Sequence, residues 1–313
     1  MQNTALIFPG QGSQQVGMGK DFAQTYPIAK EIFQQADDLL GVSLSQLMFD
    51  GDAETLNQTY NTQAALYVCS AAILQVFRSE YPQITPIAYA GHSLGEFTAL
   101  YAAGALTFED GLRLVRERGR LMGLAGEKHP GAMAALLGLA TDVVREICQT
   151  ASEQIGAPVV LANDNCPGQV VISGDTTAID AALQLAQEHG AKKAIKLAVS
   201  VAAHSPLMQP AADDFRSALD ATTFTTPHTP IYANATAQPI RDIQAIRAAL
   251  NHQLTHPVRW TESVQAMLIA GVTQFIEIGS SDVLTGLIKR IDRQAARVAI
   301  HSVPALQAFQ PNA

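Results

Sequence analysis

The chain has 313 residues, 48% of them hydrophobic and 15% charged, with a formal charge of −8 at pH 7. These proportions exclude a disordered chain and allow a large buried core spread over two domains. The acidic balance argues against nucleic acid or an anionic membrane as the main partner, because both reward basic surfaces.

The opening Met1-Gln2-Asn3-Thr4 has no basic region of the kind that starts a secretion signal. The longest apolar stretch, residues 64–77, is broken by Ser70 and Gln75. A soluble, cytoplasmic protein is therefore expected. Residues 4–8, Thr-Ala-Leu-Ile-Phe, end at Pro9-Gly10 and predict a first buried strand feeding a glycine-rich loop. Helical spacing follows over 22–40, 66–77 and 108–122, and a short apolar strand at 87–90 falls between the second and third of these. Residues 96–105, rich in Ala, Leu and Phe, predict a helix directly after that strand. Strands alternating with helices imply a parallel sheet covered by helices.

From residue 131 the rhythm changes to strand 132–137, helix 142–152, strands 159–162 and 169–173, helix 177–189 and strand 194–199. This β-α-β-β-α-β order predicts a ferredoxin-like subdomain inserted into the larger body, its start marked by Gly123, Gly126, Pro130 and Gly131. The fold expected is α/β, with an α/β-hydrolase-like parallel sheet core and an inserted ferredoxin-like βαββαβ subdomain. Residues 1–126 and 200–313 form the large catalytic domain, and 127–199 the small one. Beyond the insert, a strand at 230–233, a helix at 242–254, a strand at 274–278 and a helix at 282–291 return to α/β character. The stretch from Gln307 reads as a loose tail.

The most informative segment is Gly91-His92-Ser93-Leu94-Gly95, placed where the strand at 87–90 hands over to the next helix. With 22 glycines in the chain, composition alone produces about 0.1 such G-x-S-x-G matches, so context carries the assignment. A strand-to-helix turn this tight needs glycine on both sides and lifts the Ser93 hydroxyl clear of the sheet, as in a nucleophile elbow. A serine hydroxyl is a poor nucleophile at neutral pH and needs a positioned base, most often histidine. Of eight histidines, His92 sits on the elbow itself and points elsewhere. His204 follows an apolar run just as the insert ends, where a cleft between domains would lie, and Pro206 suits a helix start immediately after it. His252 and His256 are the alternatives.

Cys69, Cys148 and Cys166 are widely spaced with no paired histidines, so neither a disulfide framework nor a metal site is signalled. The sequons at Asn57 and Asn234 matter only in a secreted protein. Arg113, Arg116, Arg118 and Arg120 form one basic cluster, and Lys192, Lys193 and Lys196 another, on which an acidic partner could dock despite the net charge.

Several segments together carry a family resemblance: Phe8-Pro9-Gly10-Gln11-Gly12-Ser13-Gln14, Gly91-His92-Ser93-Leu94-Gly95-Glu96, Arg118-Gly119-Arg120-Leu121-Met122, residues 199–208, and Gln253 with Pro257-Val258-Arg259-Trp260. The chain resembles malonyl-CoA:acyl carrier protein transacylases in motifs that run in order from residue 4 to about 290. That resemblance implies a ping-pong transfer through a malonyl ester of Ser93, with His204 as base and then acid. It implies an oxyanion hole from the backbone of Gln11 and Leu94, and Arg118 as receptor of the substrate carboxylate, a choice among the four arginines that residue chemistry alone leaves open. Gln63, His92 and Gln253 would be supporting residues, a backbone carbonyl around Gln253 taking the second ring nitrogen of His204.

No bound cofactor or metal is expected; a coenzyme A thioester, malonyl-CoA, is the substrate, and acyl carrier protein the partner of a monomeric enzyme. The small residues Val201-Ala202-Ala203 keep open a substituted malonyl substrate in polyketide synthesis. A hydrolase of acyl groups on carrier proteins is a further alternative on the same architecture.

Overall fold

The computed structural model describes residues 2–199 and 201–311. Its ten strands are β1 (Thr4–Phe8), β2 (Ala88–Gly91), β3 (Gly131–Leu137), β4 (Val159–Cys166), β5 (Gln169–Asp175), β6 (Lys193–Lys196), β7 (Ile231–Tyr232), β8 (Pro239–Ile240), β9 (Gln274–Ile278) and β10 (Ala296–Ile300). Six of them form one sheet in the order β10-β9-β1-β2-β7-β8. The first five in that order run parallel, and β8 turns back against β7.

Alternation along β1 feeds two cores. Leu6 and Phe8 pack with the helices Pro27–Leu40 and Thr59–Glu80, whereas Ala5 and Ile7 pack with Trp260, Val264, Met267 and Ile288 on the opposite face. A strand buried on both faces reads as a continuous apolar run, which is how residues 4–8 appear in the sequence. The helix Thr59–Glu80 is also enclosed, with 16 of its 22 residues buried. It starts seven residues before the predicted 66–77, because a helix buried on most sides lacks the polar face that reveals a period.

The remaining four strands form an antiparallel sheet in the order β4-β5-β3-β6, with the helices Thr141–Ile155 and Thr176–Glu188 packed on it. This is the ferredoxin-like βαββαβ arrangement, with its own core of Leu136, Val144, Ile147, Ile172 and Ile179. Strand β4 is tied to the larger body. The Asp164 N–H donates to Val258 O at 2.9 Å, the Val258 N–H to Ala162 O at 2.8 Å, and Thr261 Oγ1 to Asp164 Oδ1 at 2.7 Å.

Several boundaries differ from the sequence expectation. Gly123 and Gly126 lie inside the helix Phe108–Lys128 and mark no break; the chain leaves that helix at His129-Pro130. The helix predicted over 22–40 divides at Tyr26, where Pro27 starts a second helix and fixes its first turn. The strand expected at 194–199 stops at Lys196, and Ser200 lies outside the described residues. The helix start expected at Pro206 is a 3-10 turn, Pro206–Met208, that runs on into the helix Gln209–Ala221, whereas the helix Trp260–Ile269 and β10 have no counterpart in the sequence expectation. Among the described residues no helix is long and apolar enough to cross a membrane.

The expected loose tail is packed through Phe309. Phe309 is buried, its ring edge-on to Tyr81 with centroids 5.0 Å apart, and the Tyr81 hydroxyl donates to the carbonyls of Leu306 and Phe309 at 2.8 and 3.2 Å. An aromatic anchor two residues before Pro311 overrides the terminal composition. Replacing Phe309 with Ala should cost roughly 3 kcal/mol through the cavity it leaves. The check is a lower urea midpoint at unchanged slope.

Candidate active site

Between β2 and the helix Gly95–Ala102 the chain turns within four residues. A Cβ on Gly91 would stand 1.9 Å from the Gly95 carbonyl carbon, and one on Gly95 would stand 2.1 Å from Phe8 O. Both positions are restricted to glycine by main chain that cannot move aside. Ser93 pays for the turn with a φ of +50°, a left-handed conformation that a non-glycine residue holds only when its surroundings impose it. Asn234 imposes it: its Oδ1 accepts from the Ser93 N–H at 2.6 Å, and its Nδ2 donates to Gly91 O at 2.7 Å.

The Leu94 N–H stands at the N-terminus of the helix Gly95–Ala102 and donates to no acceptor among the described residues, and the same holds for the Gln11 N–H. Gly10 brings the loop that carries Gln11 against the elbow, since a Cβ there would lie 2.3 Å from His92 O. The His92 side chain is half-buried and turned away from Ser93. Its Nε2 lies 2.8 Å from Asn165 Oδ1, and its ring meets Trp260 edge-on.

His204 is buried 111 residues further along the chain, yet its Nε2 lies 2.8 Å from Ser93 Oγ. Its Nδ1 faces two carbonyls, Gln253 O at 2.7 Å and His256 O at 3.1 Å. Carbonyls only accept, so Nδ1 carries the hydrogen and Nε2 turns its lone pair to the serine. Burial pushes the His204 pKa down to about 3, and the nearby positive charge of Arg118 adds to the effect. The alternatives His252 and His256 have exposed rings; His256 joins the site only through its main-chain carbonyl.

The arginine cluster is resolved by the helix that carries it. Residues 111, 115, 118, 122 and 125 share the buried face of Phe108–Lys128, so Arg118 points inward at 1% exposure. Arg120 forms a surface pair with Glu117, Arg113 is largely exposed, and Arg116 holds Asn61 and the Tyr60 carbonyl. Arg118 Nη1 donates to Gln63 Oε1 at 2.8 Å, and its Nη2 to Gln253 Oε1 at 3.0 Å and Ser93 Oγ at 3.2 Å. Its Nε has no partner among the described residues, and burial lowers its pKa to about 10, which leaves it charged.

Two residues of this constellation were not singled out by the sequence. Asn234 stood there only as part of a sequon. Glu96 is 1% exposed and accepts from Gln253 Nε2 at 2.6 Å and from the Asn234 N–H at 3.3 Å, while burial raises its pKa to about 7. The available signal for Glu96 was a lone carboxylate inside an otherwise apolar helix. No group of three or more histidine, cysteine or acidic side chains suited to a metal occurs among the described residues.

The burial of His204 in neutral form has a measurable consequence. An unfolded chain takes up this proton below about pH 6.5 and the folded chain does not, so this group's contribution to stability falls as pH drops from about 6.5 toward 3. Nitrogen NMR of ring-labelled protein should show His204 neutral, protonated at Nδ1, and unchanged from pH 8 to 5. Titration of this ring near pH 6.5 would contradict the geometry.

A model of the acyl transferase domain family matches residues 5–311. The malonyl CoA-acyl carrier protein transacylase of Bacillus subtilis strain 168 is 45% identical over 300 residues, covering 96% of this chain and 94% of that protein. The protein of the same name from Escherichia coli strain K12 is 43% identical over 309 residues, covering 98% and 99%. Among solved structures, the malonyl CoA-acyl carrier protein transacylase of Coxiella burnetii matches with a TM-score of 0.94 at 40% identity, covering 98% of this chain and 96% of that one. A malonyl-transacylase solved in complex with its type II PKS acyl-carrier protein matches with a TM-score of 0.94 at 41% identity, covering 97% and 98%. With its serine elbow, neutral histidine and buried arginine joined in one cluster, the chain belongs to the acyl transferase family, among the malonyl CoA-acyl carrier protein transacylases.

Proposed function

We propose that this protein transfers a malonyl group from malonyl-CoA to the phosphopantetheine thiol of an acyl carrier protein, through an ester on Ser93. The observation that carries this reading is that one hydroxyl lies 2.8 Å from a neutral imidazole nitrogen and 3.2 Å from a buried guanidinium. The imidazole makes the hydroxyl a nucleophile. The guanidinium gives a reason for the substrate to carry a carboxylate, which it can grip through two parallel hydrogen bonds. A hydrolase of unbranched acyl chains has no use for a cation at that place.

In the first half-reaction Ser93 Oγ attacks the thioester carbonyl and its proton passes to His204 Nε2. The charge that develops on the carbonyl oxygen is met by the N–H groups of Leu94 and Gln11, a pair of unengaged donors beside the nucleophile. Collapse of the tetrahedral species breaks the carbon–sulfur bond, and coenzyme A leaves with the proton from His204. In the second half the thiol of the carrier protein gives its proton to His204 and attacks the ester carbonyl, and Ser93 leaves and recovers the proton. The imidazole returns to its starting tautomer each time, held by the carbonyls of Gln253 and His256 without an acidic third member. His204 carries each proton between Ser93 and the two thiols, and coenzyme A enters only as substrate.

The carrier protein would dock on a basic surface. Lys192, Lys193 and Arg290 line one pocket with Gly138 and Gly168, and Arg290 continues into a second with Lys289, Arg293 and Arg297. This concentration of positive charge on a chain of net charge −8 suits an acidic domain. A substrate soluble as its coenzyme A thioester and three free, buried cysteines fit a cytoplasmic setting.

Two measurements test these assignments. Arg118→Ala should lower kcat/KM for malonyl-CoA on the order of 100-fold, the loss of a charge-assisted grip, while transfer from acetyl-CoA holds or rises. Equal losses for both substrates would remove Arg118 from carboxylate recognition. Reversal of Lys192 and Lys193 to Glu should slow transfer to the carrier protein about tenfold at low salt and leave acylation by malonyl-CoA unchanged; an unaltered second half-reaction would move the docking surface elsewhere.

A further inference from the structure

Glu96 has no part in the transfer described above, yet it stands beside the nucleophile. It is the second residue of the helix Gly95–Ala102, where a negative charge is favoured by the helix dipole. That position favours the ionised form, against the burial that raises its pKa to about 7, but does not account for its choice of partner. Its carboxylate accepts from Gln253 Nε2 at 2.6 Å, and the same nitrogen donates to Ser93 O at 2.9 Å.

A primary amide has two donors at one end and an acceptor at the other. With Glu96 and the Ser93 carbonyl both on the nitrogen side, the Gln253 oxygen is directed to Arg118 Nη2 at 3.0 Å. Reversing the amide would set its oxygen against two acceptors and its NH2 against the guanidinium. The direction of this amide is thus fixed by Glu96 together with the Ser93 carbonyl and Arg118, and of these Glu96 makes the shortest contact. Gln253 also holds His204 through its main-chain carbonyl at 2.7 Å, so one residue links the base, the nucleophile and the cation.

The placement of charge follows the same logic. Among the described residues Arg118 forms no direct ion pair, and Gln253 stands between it and Glu96. A carboxylate in direct contact would occupy the donors that a substrate carboxylate needs. Set one amide away, it offsets part of the cost of burying the guanidinium without placing a second carboxylate on its donors, which meet only neutral acceptors.

We propose that Glu96 is a positioning residue of malonyl selection, which by fixing the Gln253 amide aims the Arg118 guanidinium at the substrate carboxylate. This inference rests on the assignment of Arg118 made above.

The test compares acylation by malonyl-CoA and acetyl-CoA in the full-length protein and in the variants Glu96→Leu, Glu96→Gln and Arg118→Ala, each checked for folding by thermal melting. Glu96→Leu should lower the malonyl-to-acetyl ratio of kcat/KM about tenfold, mainly through KM for malonyl-CoA, as expected for one misaligned charge-assisted bond. Glu96→Gln, which still presents an oxygen to Gln253, should restore that ratio to within about threefold of the parent.

Equal loss with both substrates in Glu96→Leu would mark a merely structural role and overturn the proposal, as would an unchanged ratio. Should Glu96→Leu not fold, Gln253→Leu serves the same comparison: a fall in the ratio supports the proposal, and an unchanged ratio overturns it. An unchanged ratio in Arg118→Ala would show instead that the carboxylate assignment itself has failed, and the inference with it.

Discussion

Two potentially cationic side chains converge on a single hydroxyl, and only one of them can be charged. Arg118 keeps its charge because guanidinium remains protonated even when burial lowers its pKa to about 10. His204, equally enclosed and facing that charge, is therefore held neutral. Most of the local architecture follows from this imbalance. The Nδ1 hydrogen of His204 is satisfied by uncharged carbonyls, and the buried acid Glu96 is kept one amide away from the cation. In the proposed transfer, a base that is already neutral can accept the serine proton without first losing one of its own.

The fold contributes by bringing distant segments to one point. Ser93 follows the end of β2 in the middle of the parallel sheet, and His204 lies where the chain returns from the ferredoxin-like insert. The cation comes from the inward face of Phe108–Lys128, and Gln253 from the end of the helix Ile243–Gln253. Strand β4 of the insert is stitched to Val258 and Thr261, a few residues beyond Gln253, and Asn165 on the same strand holds His92 of the elbow. The insert therefore braces the chain on both sides of Ser93 through main-chain and side-chain hydrogen bonds.

Much of this was legible in the sequence where local chemistry is stringent. The elbow declares itself because two glycines are forced by main-chain contacts, and β1 because a strand buried on both faces is apolar throughout. Arg118 was separable from Arg113, Arg116 and Arg120 only through the family resemblance; the fold supplies the physical reason, since residues 111, 115, 118, 122 and 125 share the buried face of their helix. What remained hidden depends on contacts between remote segments. Asn234 looks like any polar loop residue until the elbow is folded against it, and the packed end of the chain is invisible until Phe309 meets Tyr81 and Phe77. The helix Thr59–Glu80 was read short for a related reason, since burial on most of its sides erases the period by which helices are recognised.

The measurement that bears most directly on the assignment of Ser93 is intact-mass spectrometry of the protein mixed with malonyl-CoA, methylmalonyl-CoA or acetyl-CoA in turn, followed by phosphopantetheinylated carrier protein. One malonyl adduct should form, map to Ser93, be absent in Ser93→Ala, and pass to the carrier protein when it is added. An adduct on another residue, or one that decays to free acid with the acceptor present, would contradict a transferase built on the Ser93–His204 pair.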